Sequence, residues 1–525
     1  MKIERTKNSI RNVIWGFVNK IVALLGPFTV RTTIIHVLGS EYLGLSSLFT
    51  SILQVLSLAE LGFASAIVFS MYEPIAKDDT NTICALMNLY KKIYRVIGCI
   101  VLVIGLSIIP FMNFLVDKES LIGMNVYILY GIYLFNSVIS YFLFAYKNCL
   151  LSAHQRLDIV SNVNSAFNLI MYVLQVIILI VLKNYYLYAL LIPITTILTN
   201  IINAYFATKM FPDYHCKGKL VKQKVNNIKR QVTGLMMNKV CQVSRNSLDS
   251  IIISVFLGLT TVAIYNNYYY IISSLNGFMV ILSNAILAGV GNSITVESQK
   301  KNYSDMSKFL FMYMWIVGLS TCCLACLYQP FMKLWVGETL MLKNPDMILF
   351  CLYYYCLQMG VIRGVYYDAA GLWWYGKFRA FSEALLNIVL NIILGKIWGI
   401  TGIICATLIS LVLVNYIYGS HLLFKYYFTQ YKASEYYKAN GYYMLITLIG
   451  TTFTYFICSK FPWGDSMITT FLWIVVRGIT CFIIPNIIYL IAYKNNKQFM
   501  KSKEWVLAMV NSRLQRTKAY YKQKL

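Results

Sequence analysis

The sequence predicts an all-α polytopic membrane protein of about 14 transmembrane helices: two parallel six-helix lobes around a central cavity, followed by two additional C-terminal helices. Three observations lead to that expectation. Of 525 residues, 58% are hydrophobic and only 13% are charged, with a mean hydropathy of +0.62. Apolar runs of about 20 residues, the length that crosses a bilayer, recur along the whole chain. Finally, the two halves repeat a polar pattern at a fixed offset of 219 residues, with no gap required.

The apolar spans fall at 12–35, 42–71, 93–116, 122–145, 159–182, 185–208, 232–257, 262–290, 309–331, 347–371, 380–399, 401–424, 441–459 and 467–493. Glycine, proline and short polar breaks separate them. The first run, Val13 to Ile35, is too long for the core of a signal peptide, and no small-residue cleavage site follows it. It is expected to be a retained span.

The basic residues set the orientation. With the N-terminus in the cytoplasm, 34 of the 46 lysines and arginines fall in segments on the inside and 6 in outside loops. Six lie within spans: Lys20, Arg31, Lys239, Arg245, Arg363 and Arg477. A bias of this size implies an even number of spans and cytoplasmic N- and C-termini. It also places most of the net charge of +26 against anionic headgroups of the inner leaflet, so membrane lipids are the expected partners and nucleic acid is not.

The repeat sets the domain organisation. Asn19-Lys20 precedes Leu38-Gly39 by the same interval that separates Asn238-Lys239 from Leu257-Gly258, and Asn8, Arg11, Ile34 and Ala66-Ile67 match Asn227, Arg230, Ile253 and Ala285-Ile286. Residues 1–208 are expected to form the first six-helix lobe, 209–230 a basic cytoplasmic linker, and 231–428 the second lobe. Two extra helices span 429–493, and a basic cytoplasmic tail covers 494–525. Six spans per lobe return the chain to the same side, so the repeat is parallel, with its pseudo-twofold axis along the membrane normal. The tail carries Phe499, Trp505, Val506, Met509 and Leu514 among its charges, which suits either a helix on the inner surface or a disordered segment.

Ionisable groups inside a bilayer are costly and tend to face a wet cavity or a partner. Lys20 stands about a third of the way across the first span, and Arg31 follows eleven residues later, near three full turns, on nearly the same face. Lys239, Gln242, Arg245 and Asp249 form a polar stripe on the seventh span, with Arg245 and Asp249 spaced to neutralise each other. Lys20, Lys239 and Arg245 are expected to line the cavity. Arg31 stands equally well as a snorkelling residue, and Arg363 is a further cavity candidate. Glu60 is either a coupling carboxylate or the charge partner of Lys20, with the partner role expected; Arg477 has no assigned role. Because Glu60 and Asp249 are the clear acids within spans, the cavity is expected to be net positive. A diphosphate suits it, since ammonium and guanidinium groups make charge-assisted bonds to phosphate oxygens.

The 13 cysteines lie mostly in apolar stretches. Cys322, Cys323 and Cys326 cluster, but no histidine or carboxylate is nearby, so buried free thiols are expected, with no metal site and no cofactor. Among 42 tyrosines, Tyr265 and Tyr268 to Tyr270 form one group and Tyr353 to Tyr355 another. Both groups fall near the outer ends of spans, where an interfacial belt is expected, with stacking against sugar rings as the alternative. Asn136, Ser137, Ser140, Asn162, Asn164, Ser165 and Asn168 offer hydrogen bonds, to sugar hydroxyls or to neighbouring helices.

The opening Asn19-Lys20 span with Leu38-Gly39-Ser40-Glu41-Tyr42-Leu43-Gly44, the Leu58-Ala59-Glu60-Leu61-Gly62 turn and the second opening through Leu257-Gly258 resemble the polysaccharide-transporter (Wzx-type) branch of the multidrug/oligosaccharidyl-lipid/polysaccharide exporter superfamily. The likeness spans essentially the whole chain and is strongest over 8–70 and 227–290. It implies a flippase of the bacterial plasma membrane that moves undecaprenyl-diphosphate-linked oligosaccharide from the inner to the outer leaflet, for capsule, exopolysaccharide or O-antigen. It further implies two six-helix bundles alternating between inward- and outward-open states, with the glycan polymerase of the same pathway as a partner. A flippase for lipid II or another lipid-linked glycan is the near alternative, and a cation-coupled drug exporter of the same superfamily the more distant one. Enzymatic activity is not expected: the outside loops are short and carry no acidic pair or nucleophile motif.

Overall fold

A computed structural model describes residues 5–60, 63–116, 124–154, 156–372, 375–464, 466–505 and 507–508; the side chains of 5–19 and 233–246 are among those outside the description. Among the described residues there is no strand, and every long element is a helix. That is what a bilayer demands, because a helix satisfies its backbone groups internally. In order, the principal helices are α1 (Arg5–Val37), α2 (Ser40–Leu56), α3 (Phe63–Ala76), α4 (Thr80–Ile108), α5 (Val126–Phe142), α6 (Leu157–Ile177), α7 (Tyr185–Met210) and α8 (Lys222–Val296). There follow α9 (Gln299–Val336), α10 (Asn344–Met359), α11 (Val361–Ala369), α12 (Lys377–Trp398), α13 (Ile400–Ser410), α14 (Gly419–Tyr426), α15 (Ala433–Ser459) and α16 (Met467–Tyr493).

Short polar residues between the apolar runs start these helices by accepting from orphan backbone N–H groups. The Asp79 side chain accepts from Thr82 at α4, Asn184 from Leu187 at α7 and Ser298 from Lys301 at α9. Ser466 and Thr469 cap α16 reciprocally. Large apolar side chains such as Val103, Phe111, Val181, Phe456, Phe482 and Ile491 point outward, the surface a lipid-facing bundle needs.

Among the described residues, eleven helices are long and apolar enough to cross a membrane, or twelve if the bent pair Val126–Phe142 and Ala145–Ala153 is one span; fourteen had been expected. Two local breaks account for the difference between fourteen and twelve. The second expected span is interrupted by a single 3-10 turn, Ser57–Glu60, which leaves α2 with 17 residues and α3 with 14. The seventh and eighth run on as α8, in which only Gly258 departs from helical geometry.

The chain forms two compact units. One contains residues 1–267 and 384–403, the other 268–383 and 404–525. In the first, Leu45, Leu48, Phe49, Ile67, Val101 and Tyr130 are fully or almost fully buried, with Phe49 meeting Tyr130 edge-on at 5.5 Å. The second is built on the antiparallel hairpin of α15 and α16 packed on α9. Within it the tail is helical over 497–505. Phe499 stacks on Trp315 at 6.0 Å and Trp505 meets Phe309, so this part of the tail docks on α9. Residues 509–525 lie outside the described residues.

The two tyrosine groups form interior contacts, where an interfacial belt had been expected. Tyr265, Tyr268, Tyr353, Tyr354 and Tyr355 are each at most 5% exposed. The Tyr268 hydroxyl donates to Gln329 Oε1, and Tyr265 donates to Asp249 Oδ2. A phenol with an interior acceptor has no need of the headgroup layer. Asn136 likewise joins helices, accepting from Thr196 at 2.7 Å.

Candidate functional site

The repeated Leu-Gly steps adopt the same unusual backbone. Gly39 has φ 110° and ψ 166°, and Gly258 has φ 80° and ψ 171°. Positive φ favours glycine, since a Cβ would be strained there. At both places the helix axis turns, and the next helix starts at once. The helix after the first turn approaches the second turn within the first unit: a Cβ added to Gly44 on α2 would lie 2.1 Å from the Leu259 carbonyl oxygen. The close approach brings α1, α2 and both arms of α8 together.

Polar side chains follow that junction. Arg31 donates to Asn267 Oδ1 from Nη2 at 3.1 Å and from Nε at 3.3 Å, tying α1 to the second arm of α8. Asn267 is fully buried. Ser247 donates to Gln54 at 2.9 Å and Ser254 to the Leu115 carbonyl at 2.6 Å. Asp249 is 1% exposed and accepts from Tyr265 at 2.8 Å and from Asn391 at 2.6 Å. Asn391 lies on α12, so this bond helps to hold residues 384–403 in the first unit.

Lys20, in the middle of α1, is half-buried, and no hydrogen bond or ion pair engages it among the described residues. It does not pair with Glu60 as expected. Glu60 sits on the 3-10 turn and accepts from the Tyr94 hydroxyl, which in turn accepts from Tyr90 at 2.7 Å. Tyr90, Tyr94 and Tyr141 are at most 6% exposed around it. The interruption of the second span thus places a carboxylate against phenols of α4. Lys239, Gln242 and Arg245 lie on α8, but their side chains are outside the described residues, and so is the expected Arg245–Asp249 pair.

Arg363 belongs to the second unit and is 5% exposed. It donates to the Asn415 carbonyl at 2.9 Å, to Asn415 Oδ1 at 3.1 Å and to the Gly360 carbonyl at 3.4 Å. Asn415 lies in a π-helical stretch, Leu411–Tyr418, whose widened turns leave carbonyls free for an outside donor. The Asn415 amide donates to Glu383, which also faces Arg379 at 3.5 Å. Arg477, also in the second unit, is 4% exposed and donates to the carbonyls of Phe461 and Pro462, closing the turn between α15 and α16. A separate cavity of about 290 Å³ in this unit is lined by Thr321, Met347, Cys351, Tyr355, Thr447 and Tyr455, without a charged group.

Sequence reasoning singled out Arg31, Asp249 and Glu60 but expected Lys20, not Tyr94, beside Glu60, and it named neither Asn267 nor Asn391, the buried partners of Arg31 and Asp249. Those asparagines interrupt strongly apolar spans, which was the available signal.

No protein-family model matches the chain, and no curated protein matches it in sequence. Solved structures do. The lipid II flippase MurJ, in an inward closed conformation, superposes with a TM-score of 0.65 at 16% identity, covering 93% of this chain and 99% of that one. A multidrug resistance MATE family transporter of the MOP superfamily matches in its inward-facing conformation with a TM-score of 0.59 at 11% identity, over 75% and 93% of the two chains. An outward-facing conformation of a MATE family transporter of the MOP superfamily gives 0.53 at 13% identity, over 79% and 95%. At these identities the likeness is one of fold. The chain is a multi-pass membrane protein with the all-helical architecture that these flippases and transporters share.

Proposed function

We propose that the protein is a flippase of the bacterial plasma membrane, moving undecaprenyl-diphosphate-linked oligosaccharide repeat units from the inner to the outer leaflet. Lys20, Lys239 and Arg245 attract the diphosphate. Arg31 and Arg363, already hydrogen-bonded to asparagines, serve as supporting cations. The glycan occupies a wet interior while the lipid tail stays in the bilayer, and alternating access exposes the site first inside and then outside. Both termini are cytoplasmic in this reading, as the 34-to-6 distribution of basic residues supports. Outward movement of negative charge runs with an inside-negative potential, at about 2.3 kcal/mol per charge per 100 mV.

The observation that carries the proposal is the imbalance of intramembrane charge. Lys20 has no partner among the described residues, whereas Glu60 and Asp249 already accept from tyrosine and asparagine donors. A site of this sign suits a lipid diphosphate and disfavours the organic cations of a drug exporter. The shared fold with a lipid II flippase over nearly the whole chain supports lipid II as a second substrate reading. Both readings describe a transporter without catalytic chemistry. Lys20→Gln or Arg245→Gln should abolish glycan export in the host while membrane levels stay unchanged. Normal export in both variants would overturn the cationic-site proposal.

A further inference from the structure

On the sequence, Cys322, Cys323 and Cys326 form a group on one helix with no complementary ligands. The second unit supplies them. Cys458 near the end of α15 and Cys481 on α16 pack against that group, and the residues Cys322, Cys326, Cys458 and Cys481 form one buried cluster with Cys323 packed beside it. Their residues are 0%, 4%, 3% and 0% exposed. The sulfur atoms of Cys322, Cys326 and Cys481 all lie within 4.8 Å of one another, and the Cys481 thiol has Cys322, Cys323, Cys326 and Cys458 as neighbours.

Three helices therefore aim thiols at a common centre. Cys322 and Cys326 share a face of α9 through i,i+4 spacing. Sulfurs bound to one tetrahedral zinc stand about 3.8 Å apart, from a zinc–sulfur bond of about 2.3 Å. The three sulfurs, within 4.8 Å of one another, need close by no more than about 1 Å to reach that range. A second observation concerns charge. Arg477 lies one turn before Cys481, is 4% exposed, and has its guanidinium close enough to Cys458 to act on it electrostatically. A thiolate-only centre is anionic, and a buried guanidinium beside it offsets that charge where no water does.

We propose that Cys322, Cys326 and Cys481, with Cys458 as the fourth donor, form a buried binding site for a thiophilic closed-shell cation, Zn²⁺ in tetrahedral or Cu⁺ in trigonal coordination. Thiolates select these ions over hard cations. Each coordinating thiol passes its proton to solvent as its metal–sulfur bond forms, so uptake releases protons. The bound ion clamps the α15–α16 hairpin to α9 and leaves the charged groups of the first unit untouched.

The test uses the full-length protein, purified in detergent under reducing, anaerobic conditions. It is exposed to Zn²⁺ or to Cu⁺ and desalted, and metal per chain is measured alongside the number of thiols reactive to an alkylating agent. The wild type should retain about one ion per chain, and three to four thiols should become protected when labelling is done after partial unfolding that exposes the buried cysteines of the metal-free protein. Cys322→Ser and Cys481→Ser should lower retention at least tenfold, while the exposed Cys99→Ser should retain as much as wild type. Serine is close in size, and gel filtration with a metal-free melting curve establishes that the variants fold. Retention by zinc but not copper, or the reverse, identifies the ion. No metal retained by the wild type, equal retention by Cys481→Ser, or a disulfide among these cysteines in the reduced protein would overturn the proposal.

Discussion

Asp249 illustrates how single residues organise the first unit. Its carboxylate accepts from Tyr265 on the second arm of α8 and from Asn391 on α12. Replacing it with alanine leaves two buried donors unsatisfied, at a cost of roughly 3 kcal/mol. Asp249→Ala should therefore lower the melting temperature in detergent, and Asp249→Asn should lower it less. A close glycine contact acts similarly. Gly44→Ala drives a methyl into the Leu259 carbonyl, a backbone atom that cannot rotate away, so about 1–3 kcal/mol should be lost. The intramembrane charges and the repeated Leu-Gly steps were legible in the sequence, because both are rare within apolar helices. Their partners were not: Asn267 and Asn391 lie far along the chain from the side chains they meet, and no local pattern joins them. Glu60 was assigned to Lys20 because opposite charges attract, yet phenols on α4 stand closer.

At the scale of elements, the apolar runs fell within the long helices but not on their ends, since α4 begins at Thr80 where 93 had been expected and α9 at Gln299 where 309 had been, and the differences are physical. A single 3-10 turn at Ser57–Glu60 was invisible in an unbroken hydrophobic run, and one glycine marked the bend of α8. Tyrosine pattern misled for a related reason: an amphipathic ring suits either an interface or a core with an acceptor. The segment after the bent pair carries a pH-dependent contact. His154 packs on Phe211 at 4.1 Å and on Tyr214, and burial lowers its pKa below the ordinary 6.5. A folded-state value below the unfolded one means the contact is fully present above pH 6.5 and weakens as pH falls toward the lowered pKa. The melting temperature should drop between pH 7.5 and 5.5, and His154→Gln should reduce that drop. An identical drop in the variant would exclude His154 as its source.

For the whole molecule, hydropathy and fold likeness agree on a multi-pass membrane protein with the architecture of known flippases and transporters. The proposed function adds that a lipid-linked diphosphate is the cargo, drawn in by Lys20, which has no partner among the described residues, together with Lys239 and Arg245. That claim is tested most directly in sealed vesicles holding the purified protein and undecaprenyl-diphosphate-linked oligosaccharide, with glycan exposure read by a membrane-impermeant glycosidase. Wild-type protein should expose inner-leaflet glycan at least tenfold faster than protein-free vesicles, and the Lys20→Gln, Lys239→Gln double variant should fall back close to the protein-free rate. Exposure by the double variant at the wild-type rate, or no acceleration by the wild type with either oligosaccharide-linked lipid or lipid II, would contradict the account.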